Sequence, residues 1–270
     1  MKIGWTNLLP KETKGEAGLD FRPVWRGFEQ YFEKVTKQRP ETKVKIYFPE
    51  KSGWTVHFPY IEFLNNRWFV EAGLKAEKDG CDAVLVGAAT DTGLQYLKEV
   101  LTIPVVGVTE SACHLACLLG AKFAGITVFR RLIPPKSNLI RFYGLESRAI
   151  MNPIRSCELN GQDVEGLFDK KVMEKSIWPK FEAVARECIR DGAEVIICAD
   201  AWLAPALAYF DHFEIPRTGV PVVDASAAAI KLAEILVDLR KMEKLGVSRH
   251  LTYQRATDPE LEKARKFYWG

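Results

Sequence analysis

Two segments of this 270-residue chain repeat one another, and an internal repeat constrains the fold more than any other feature of the sequence. Residues 78–89 read KDGCDAVLVGAA and resemble residues 190–201, which read RDGAEVIICADA. The offset between the aligned glycines is 112 residues, and it pairs Ala88 with Asp200. A second pair of segments, IPVVG and VPVVD, repeats at an offset of 117 residues. The repeat therefore predicts two related halves.

Short apolar runs alternate with stretches of helical spacing in both halves, which is typical of α/β units around a parallel sheet. We predict an α/β fold of two Rossmann-like or flavodoxin-like lobes, related by a pseudo-twofold axis, each with a central parallel sheet, and a cleft between them. The predicted first lobe contains residues 1–106 and 220–270, and the second contains residues 107–219. The predicted strands after the first are Val44–Phe48, Ala83–Gly87, Val105–Val108, Ala124–Phe129, Glu194–Cys198 and Val222–Val223. The predicted helices are Phe21–Lys37, Tyr60–Asp79, Ser111–Leu119, Met173–Asp191 and Ala225–Leu245.

Composition excludes several classes of partner. The chain has 38 Lys and Arg residues against 35 Asp and Glu, a net charge of +3, which gives no reason to expect nucleic acid or a membrane surface. Its six cysteines form no CxxC pair, so neither a zinc ribbon nor a thioredoxin motif is predicted. There is no signal-peptide pattern and no run of about 18 apolar residues, so a cytoplasmic protein is expected. The glycine-rich nucleotide fingerprints are absent, and no cofactor is predicted.

Four segments resemble the hydantoin racemases of the aspartate/glutamate racemase superfamily, which also includes arylmalonate decarboxylase and maleate isomerase. They are DTGL at 91–94, PVVGVTESACH at 104–114, YGL at 143–145 and GVPVVDASAAAIKLAE at 219–234. The resemblance implies a cofactor-independent enzyme and a homo-oligomer. It also implies two catalytic cysteines, one after each of two equivalent strands. One thiolate removes a proton from the substrate carbon, and the other thiol returns a proton from the opposite face.

Neither thiol is present where the resemblance places it. The first position falls on Ala88 and the second on Asp200, the same two residues that the internal repeat pairs. Alanine cannot transfer a proton, whereas Asp200 could act as an acid or base, activate water, orient a cationic group, or only cap the helix that follows. Cys198 lies two residues before Asp200, so in an extended strand the two side chains point to the same face. Cys198 is either a buried structural cysteine or a catalytic one.

The remaining site candidates surround these two positions. Ligands of open α/β sheets bind beyond the carboxyl ends of the strands, so residues 88–91 and 199–202 are expected to line one shared cleft. His114 is either paired with Glu110 or handles protons, and Asp224 is expected to cap the helix that begins at Ala225. The predicted catalytic residues are Asp200, His114 and Cys198. The predicted substrate-binding residues are Asn7, Ala88, Ala89, Thr90, Asp91, Thr109, Glu110, Ser111, Ala201 and Trp202.

The function expected is one-sided acid–base chemistry on a small carboxylate or cyclic amide by a lyase, isomerase or hydrolase that uses Asp200. One alternative is a binding protein that keeps the cleft without catalysis, and another is a hydantoin-type racemase that uses Cys198. A metal site is a third hypothesis, without support from HxH or HExxH spacing, and no metal is predicted. Its ligands would be Asp91, Asp200, Glu110 and His114. An aromatic substrate is suggested by Trp5, Trp54, Phe58, Tyr60 and Trp202.

Overall fold

The computed structural model describes residues 1–9, 11, 20–52 and 58–269, and it contains two separate sheets. The first sheet has four parallel strands in the order β2-β1-β3-β4. The second has the order β6-β5-β7-β9-β8, in which the β8–β9 pair alone is antiparallel among the described strands. The strands are β1 (Lys2–Thr6), β2 (Lys43–Tyr47), β3 (Ala83–Val86), β4 (Val105–Gly107), β5 (Phe123–Thr127), β6 (Ala149–Ser156), β7 (Val195–Cys198), β8 (Glu214–Ile215) and β9 (Val220–Asp224).

Helices connect the strands, so the α/β class predicted from the sequence is confirmed. Four of the helices begin with proline in the first turn, where the missing N–H has no helical partner to lose. The helices are α1 (Arg22–Val35), α2 (Pro59–Lys78), α3 (Leu94–Val100), α4 (Val108–Leu119), α5 (Ile133–Phe142), α6 (Gly161–Glu165), α7 (Lys170–Val172), α8 (Trp178–Arg190), α9 (Leu203–Tyr209), α10 (Ala225–Glu243) and α11 (Asp258–Trp269). No described helix combines the length and the apolar character that crossing a membrane requires.

The internal repeat corresponds to equivalent positions in the two sheets. β3 lies between β1 and β4, and β7 lies between β5 and β9, with an offset of 112 residues between the two strands. Both strands are buried along their whole length. Ala88 and Asp200 therefore each stand two residues beyond the carboxyl end of an equivalent central strand.

Two helices pack against the sheet of the opposite half. α4 follows β4 but contacts β7 and β9, and α10 follows β9 but contacts β3 and β4. The predicted lobe division likewise assigns α4 to the second lobe and α10 to the first. It also assigns residues 220–224 to the first lobe. These residues form β9 in the second sheet, because they pair with β7. The chain therefore crosses between the sheets at the start of α10 and not at residue 220.

Several element boundaries differ from the predictions. Val108, predicted to end a strand, begins α4, and this helix starts three residues before the predicted Ser111. β6 has no counterpart among the predicted strands because its sequence, AIMNPIRS, mixes apolar and polar residues, of which three are buried and two exposed, at the edge of the sheet. Edge strands of this kind lack the continuous apolar run of a central strand.

Candidate active site

Asp200 lies in the turn between β7 and α9, where its two carboxylate oxygens have different partners. Oδ1 accepts hydrogen bonds from the backbone N–H groups of Trp202 and Leu203, both at 3.0 Å, and so caps the amino end of α9. Oδ2 lies 3.9 Å from Nζ of Lys136. The Asp200 side chain is 13% exposed. The capping role considered from the sequence is therefore present, and it uses only one of the two oxygens.

Lys136, on α5, is almost completely buried, with 1% of its surface exposed. Its Nζ donates to Oγ1 of Thr127 at 2.9 Å and to the carbonyl oxygen of Ala199. Burial lowers the pKa of Lys136, whereas the negative charge of Asp200 and, at a smaller level, that of Asp91 raise it. Lys136 thus forms an ion pair with Asp200, and Asp91 has a smaller influence on its pKa.

Asp91, in the turn after β3, uses both oxygens of its carboxylate. Thr109 N–H donates to Oδ1 at 3.0 Å, and Glu110 N–H donates to Oδ2 at 2.8 Å, so Asp91 caps α4 from another loop. The hydroxyl of Tyr143 also donates to Oδ2, at 2.5 Å. Burial raises the pKa of the Asp91 carboxyl to about 6, although these three hydrogen bonds oppose the increase.

The buried face of α5 connects the two turns. Lys136, Ile140 and Tyr143 are spaced at i, i+4 and i+7, so they lie on one side of the helix. Lys136 faces the Asp200 turn and Tyr143 reaches the Asp91 turn. Side chains of α5 and of the residue that follows it therefore contact both turns. That residues 88–91 and 199–202 form one site stays a prediction.

Gly107 is required by the close approach of Asp91. A Cβ atom added at Gly107 would lie 2.8 Å from Cγ of Asp91, closer than such atoms approach in proteins. The equivalent residue of the second half is Asp224, which caps α10 itself through Ser226 N–H and Ala227 N–H. The predicted cap at Asp224 is thus confirmed, and its Oδ2 accepts a hydrogen bond from the Tyr31 hydroxyl at 2.6 Å.

The polar residues at the start of α4 bind mainly to other parts of the protein. Thr109 and Ser111 are buried, and their hydroxyls donate to the carbonyl oxygens of Ala89 and Gly107. Glu110 forms an ion pair with Lys98 at 2.5 Å. His114 is exposed, and its Nδ1 lies 2.7 Å from the backbone oxygen of Glu110, so the predicted pairing is with the peptide group and not with the carboxylate.

The first turn offers no side chain for proton transfer at the position equivalent to Asp200. Ala88 and Ala89 are 3% and 7% exposed. Thr90 is half-buried, and its hydroxyl lies 2.6 Å from that of Thr92, which in turn donates to Glu62. The turn can therefore contact a ligand through its backbone and Thr90, while any acid or base must come from elsewhere.

Asn7 follows β1 and lies beside the first turn, because the peptide N–H of Gly87 donates to the carbonyl of Thr6. It is 1% exposed, and its Nδ2 donates to the carbonyl of Leu9 at 2.9 Å. That hydrogen bond fixes which end of the amide is oxygen. Within the described part of the chain, Oδ1 has no hydrogen-bond partner. A buried amide oxygen is thus left as an acceptor.

Cys198 is completely buried at the end of β7. Burial raises the pKa of its thiol well above the ordinary value, and the negative charge of Asp200 raises it further. Only a thiolate acts as a nucleophile or base. Cys198 therefore has the environment of a structural cysteine.

The aromatic residues named from the sequence lie in different places. Trp5 is a core residue, packed against Phe28 and Phe32. Trp202, next to Ala201 and Asp200, is half-buried, and its ring contacts Trp25 at 4.9 Å between centroids. The ring of Phe58 lies under the guanidinium of Arg131, and Tyr60 is exposed. Trp54 lies outside the described residues.

The four residues considered as metal ligands have other partners. Asp91 and Asp200 cap helices, Glu110 pairs with Lys98, and His114 contacts a backbone oxygen. Among residues 1–9, 11, 20–52 and 58–269, no three His, Cys, Asp or Glu side chains are placed together to hold a metal ion.

Comparisons with known proteins identify the family. The model of the Asp/Glu/Hydantoin racemase family matches residues 63–233. This chain belongs to that family. The hydantoin racemase of Pseudomonas sp. (strain NS671) is 32% identical over 213 residues, which cover 78% of this chain and 81% of the relative. The resemblance stated from the sequence motifs is therefore confirmed.

Solved structures of allantoin racemases have the same fold. The enzyme from Pseudomonas fluorescens has a TM-score of 0.74 and 25% identity, over 95% of this chain and 97% of its own. The enzyme from Klebsiella pneumoniae has a TM-score of 0.76 and 19% identity, over 95% of this chain and 94% of its own. The likeness to the second of these concerns the fold alone.

Two residues of the site, Lys136 and the Tyr143 hydroxyl, were not among the predicted site residues. Tyr143 belongs to the YGL motif, but its sequence context does not specify a hydrogen bond to Asp91. The available signal was the spacing of Lys136, Ile140 and Tyr143, which predicts one shared helix face. Nothing in the segment IPPKSNLIRFYGL indicates that this face, with its lysine, is turned inward.

Proposed function

We propose that this chain is a cofactor-independent enzyme of the racemase family that performs acid–base chemistry from one side of its substrate, with Asp200 as the acid–base residue. The observation that carries the proposal is the asymmetry of two equivalent positions. Asp200 has a carboxylate oxygen beyond its capping role, whereas Ala88 has no titratable group. The racemase relatives support an enzyme, and the missing partner at Ala88 argues against inversion.

The substrate class is a small carboxylate or cyclic amide, and Asn7 favours the cyclic amide. Its buried Oδ1 can accept a hydrogen bond, which an amide N–H donates and a carboxylate cannot. A ligand that donates to this oxygen removes the cost of a buried acceptor that has no partner among the described residues. Two of the relatives are named for hydantoin and allantoin.

An apolar or aromatic substituent on that substrate is supported by the indole of Trp202. This ring is half-buried one residue after Ala201, and Trp25 and Phe21 hold it by edge-to-face contacts. A fixed aromatic surface beside a polar group suits a ligand with one apolar and one hydrogen-bonding end.

In this mechanism Asp200 removes the proton from the carbon next to the substrate carbonyl. The charge that develops on the carbonyl oxygen is stabilised by N–H groups of the turn after β3, the role predicted for Ala89 and Thr90. With alanine at position 88, the proton can return only from the face that Asp200 occupies. The outcome is exchange with retention or loss of a leaving group from the neighbouring carbon. In the hydrolytic alternative Asp200 takes its proton from water instead, and the resulting hydroxide adds to the carbonyl carbon.

Deuterium exchange tests the proposal. Hydantoins, allantoin, amino acids and arylmalonates are incubated in D2O with the wild type, with Asp200→Asn and without enzyme, and deuterium and products are measured by NMR. The matched control is Asp169→Asn, since Asp169 also caps a helix, through Val172 N–H, outside the site. We expect Asp200→Asn to lose activity about 100- to 10,000-fold, the usual contribution of a general acid or base, and Asp169→Asn to keep it.

Equal activity of Asp200→Asn and Asp169→Asn would show that Asp200 only caps a helix. Binding of a panel compound in a thermal-shift assay, with no exchange or turnover of any compound, would instead favour a binding protein. The Cys198 alternative has its own test, because Cys198→Ala is expected to retain activity, and a loss equal to that of Asp200→Asn would reassign the base to the thiol.

A further inference from the structure

We propose that the open edge of β2 binds an extended peptide in which apolar and acidic side chains alternate. The site is a groove of about 740 Å³ between α1 and β2, within the range of about 300–1,000 Å³ that ligand sites occupy. Its lining on the β2 side runs from Thr42 to Phe48, which spans roughly 20 Å at about 3.3 Å per residue. None of the site residues predicted from the sequence, all of which the structure describes, lines this groove, so it is a different site.

The backbone of β2 has one free edge, because among the described strands β2 pairs with β1 alone. The peptide groups of a strand alternate in direction, and the Lys43 N–H and the Tyr47 carbonyl both form hydrogen bonds on the β1 side. The N–H and C=O groups of Val44 and Ile46 therefore face away from β1, where no described residue pairs with them. Such a row of free donors and acceptors is a template for one more strand.

Two residues that line the groove have a buried polar atom without a hydrogen-bond partner in the described part of the chain. The atoms are Nε1 of Trp25, on α1, and Oγ1 of Thr42, just before β2, and these residues are 8% and 0% exposed. An indole N–H only donates, so its partner must be an acceptor such as a peptide carbonyl. A hydrocarbon chain of the same length would pair neither these atoms nor the free edge of β2, which favours a peptide.

The side chains of β2 differ on the two faces of the sheet. Val44 and Ile46 are partly buried against the core that includes α1, so they offer apolar contacts to every second side chain of an added strand. Lys43 and Lys45 are exposed on the other face. Lys45 pairs with Asp79 at 3.4 Å, whereas Lys43 has no carboxylate partner among the described residues. Because opposite charges on neighbouring strands attract, acidic side chains are favoured at the remaining positions of the peptide.

A second copy of this chain is a poorer occupant of the groove. Antiparallel pairing of two β2 strands would bring Lys43 and Lys45 of both copies together on one face, where like charges are destabilising. Glu29 and Glu33 line the α1 wall, so the acidic side chains of a bound peptide fit only on the lysine face. The bound peptide therefore turns its apolar side chains toward α1 and its acidic side chains toward Lys43.

Proline at position 44 tests the backbone pairing. Val44→Pro removes the outward N–H and leaves the bonds between β2 and β1, since proline is tolerated on an edge strand whose N–H faces solvent. Val44→Ala is the matched control, because it shortens the same side chain and keeps the N–H. The probe is a fluorescein-labelled peptide of alternating glutamate and valine, about six residues long to match the groove. Fluorescence anisotropy measures its Kd. We expect Val44→Pro to weaken binding at least about tenfold, because a peptide carbonyl loses its donor, and Val44→Ala to weaken it less.

The charge and the location of the site are tested with the same probe. We expect Lys43→Glu to weaken the glutamate peptide, and to strengthen a peptide with lysine in place of each glutamate, by up to about fivefold each. The indole N–H signal of Trp25 in 1H–15N NMR spectra, assigned by its absence in Trp25→Phe, is expected to shift when the glutamate peptide binds the wild type.

Failure of the glutamate peptide to bind, or equal affinity for the wild type and Val44→Pro, would overturn the proposal. A fatty acid that shifts the Trp25 signal where the peptide does not bind would assign the groove to a hydrocarbon chain instead. A dimer in sedimentation velocity that Val44→Pro dissociates would assign it to a second copy. If Val44→Pro folds poorly, the change of peptide preference in Lys43→Glu decides, and an unchanged preference would contradict the proposal.

Discussion

The two turns that follow β3 and β7 occupy equivalent positions but use their aspartates differently. After β3, both carboxylate oxygens of Asp91 accept hydrogen bonds, from the start of α4 and from the Tyr143 hydroxyl. After β7, one oxygen of Asp200 accepts hydrogen bonds from the start of α9, and the other lies near the Lys136 amine. An aspartate in the first half therefore has hydrogen bonds to both carboxylate oxygens, whereas an aspartate in the second half has them to one oxygen only.

The difference shows that the two equivalent turns do not depend on equivalent side chains. Both turns keep the strand end and the helix start that build the cleft, so the fold does not require identical side chains at positions 88 and 200. What the fold does provide is a carboxylate for the free N–H groups at the start of α4 and of α10. In the first half Asp91 caps α4 from another turn, and Gly107 leaves the space for its carboxylate. In the second half Asp224, the residue just before α10, caps that helix itself.

Restoring a proton-transfer group to the first turn should have the largest effect. In Ala88→Cys, a thiol is introduced at the position equivalent to Asp200, so by the proposed mechanism the proton can return from the second face and inversion becomes possible. We expect racemisation of a substrate that the wild type only exchanges, at least about 100-fold above background, the lower range for a general acid. Chiral chromatography measures it, with Ala88→Ser as the size-matched control. Inversion by Ala88→Ser at the same rate would show that the thiol is not responsible.

The Asp91 carboxyl should make stability depend on pH in the opposite way from an ordinary ion-paired aspartate. Its pKa is raised to about 6 in the folded protein, so the folded state binds more protons than the unfolded state between about pH 4 and pH 6. Its contribution to the free energy of unfolding therefore falls by about 3 kcal/mol as the pH rises through this window. Denaturant unfolding measures the difference between the wild type and Asp91→Asn at both pH values, which cancels the other carboxylates. A difference that grows with pH would contradict the assignment.

Removing the Tyr143 hydroxyl should destabilise the first turn by a smaller amount. Tyr143→Phe deletes one hydrogen bond to a charged group, which contributes about 1.5–3 kcal/mol. Urea unfolding near pH 7 measures the loss. The control is Tyr96→Phe, because Tyr96 is an exposed tyrosine and its hydroxyl should contribute little. Equal losses of stability in the two variants would show that the hydrogen bond from Tyr143 to Asp91 does not stabilise the turn.

The smallest effect is expected at Thr109. Thr109→Val removes the hydrogen bond to the Ala89 carbonyl while keeping the shape of the side chain, and should cost about 1 kcal/mol in the free energy of unfolding. Thr109→Ser keeps the hydroxyl and should retain most of the stability. If Thr109→Ser loses more than Thr109→Val, the methyl contact and not the hydrogen bond holds this part of the turn.

Much of the scaffold was predictable because it depends on short-range patterns. The apolar runs gave β3 and β7, the repeat paired them, and the acidic residue before a small-residue helix predicted the cap at Asp224. The edge strand β6 was not predictable in this way, because it lacks a continuous apolar run. The lobe division placed α4 and α10 in the opposite halves, but it assigned β9, which pairs with β7, to the first lobe, because hydrophobic periodicity does not specify which strand a strand pairs with.

The site was only partly predictable for the same reason. Positions 88 and 200 follow from the repeat, and Asp91 and Thr109 follow from strand ends. The spacing of Lys136 and Tyr143 predicts a shared helix face but not the burial of the lysine, because a lysine in a helix is usually exposed and its burial here depends on the orientation of α5. The hydrogen bond from Tyr143 to Asp91 likewise joins residues 52 positions apart in sequence.

Isotope exchange resolved by enantiomer tests the central claim most directly. Each enantiomer of a hydantoin that responds to the enzyme is incubated in D2O, and deuterium incorporation and configuration are measured in the same sample, with a no-enzyme blank. One-sided chemistry by Asp200 predicts that one enantiomer gains deuterium with its configuration retained, while the other gains none. Exchange of both enantiomers with inversion, at comparable rates, would show acid–base groups on both faces and would contradict the account.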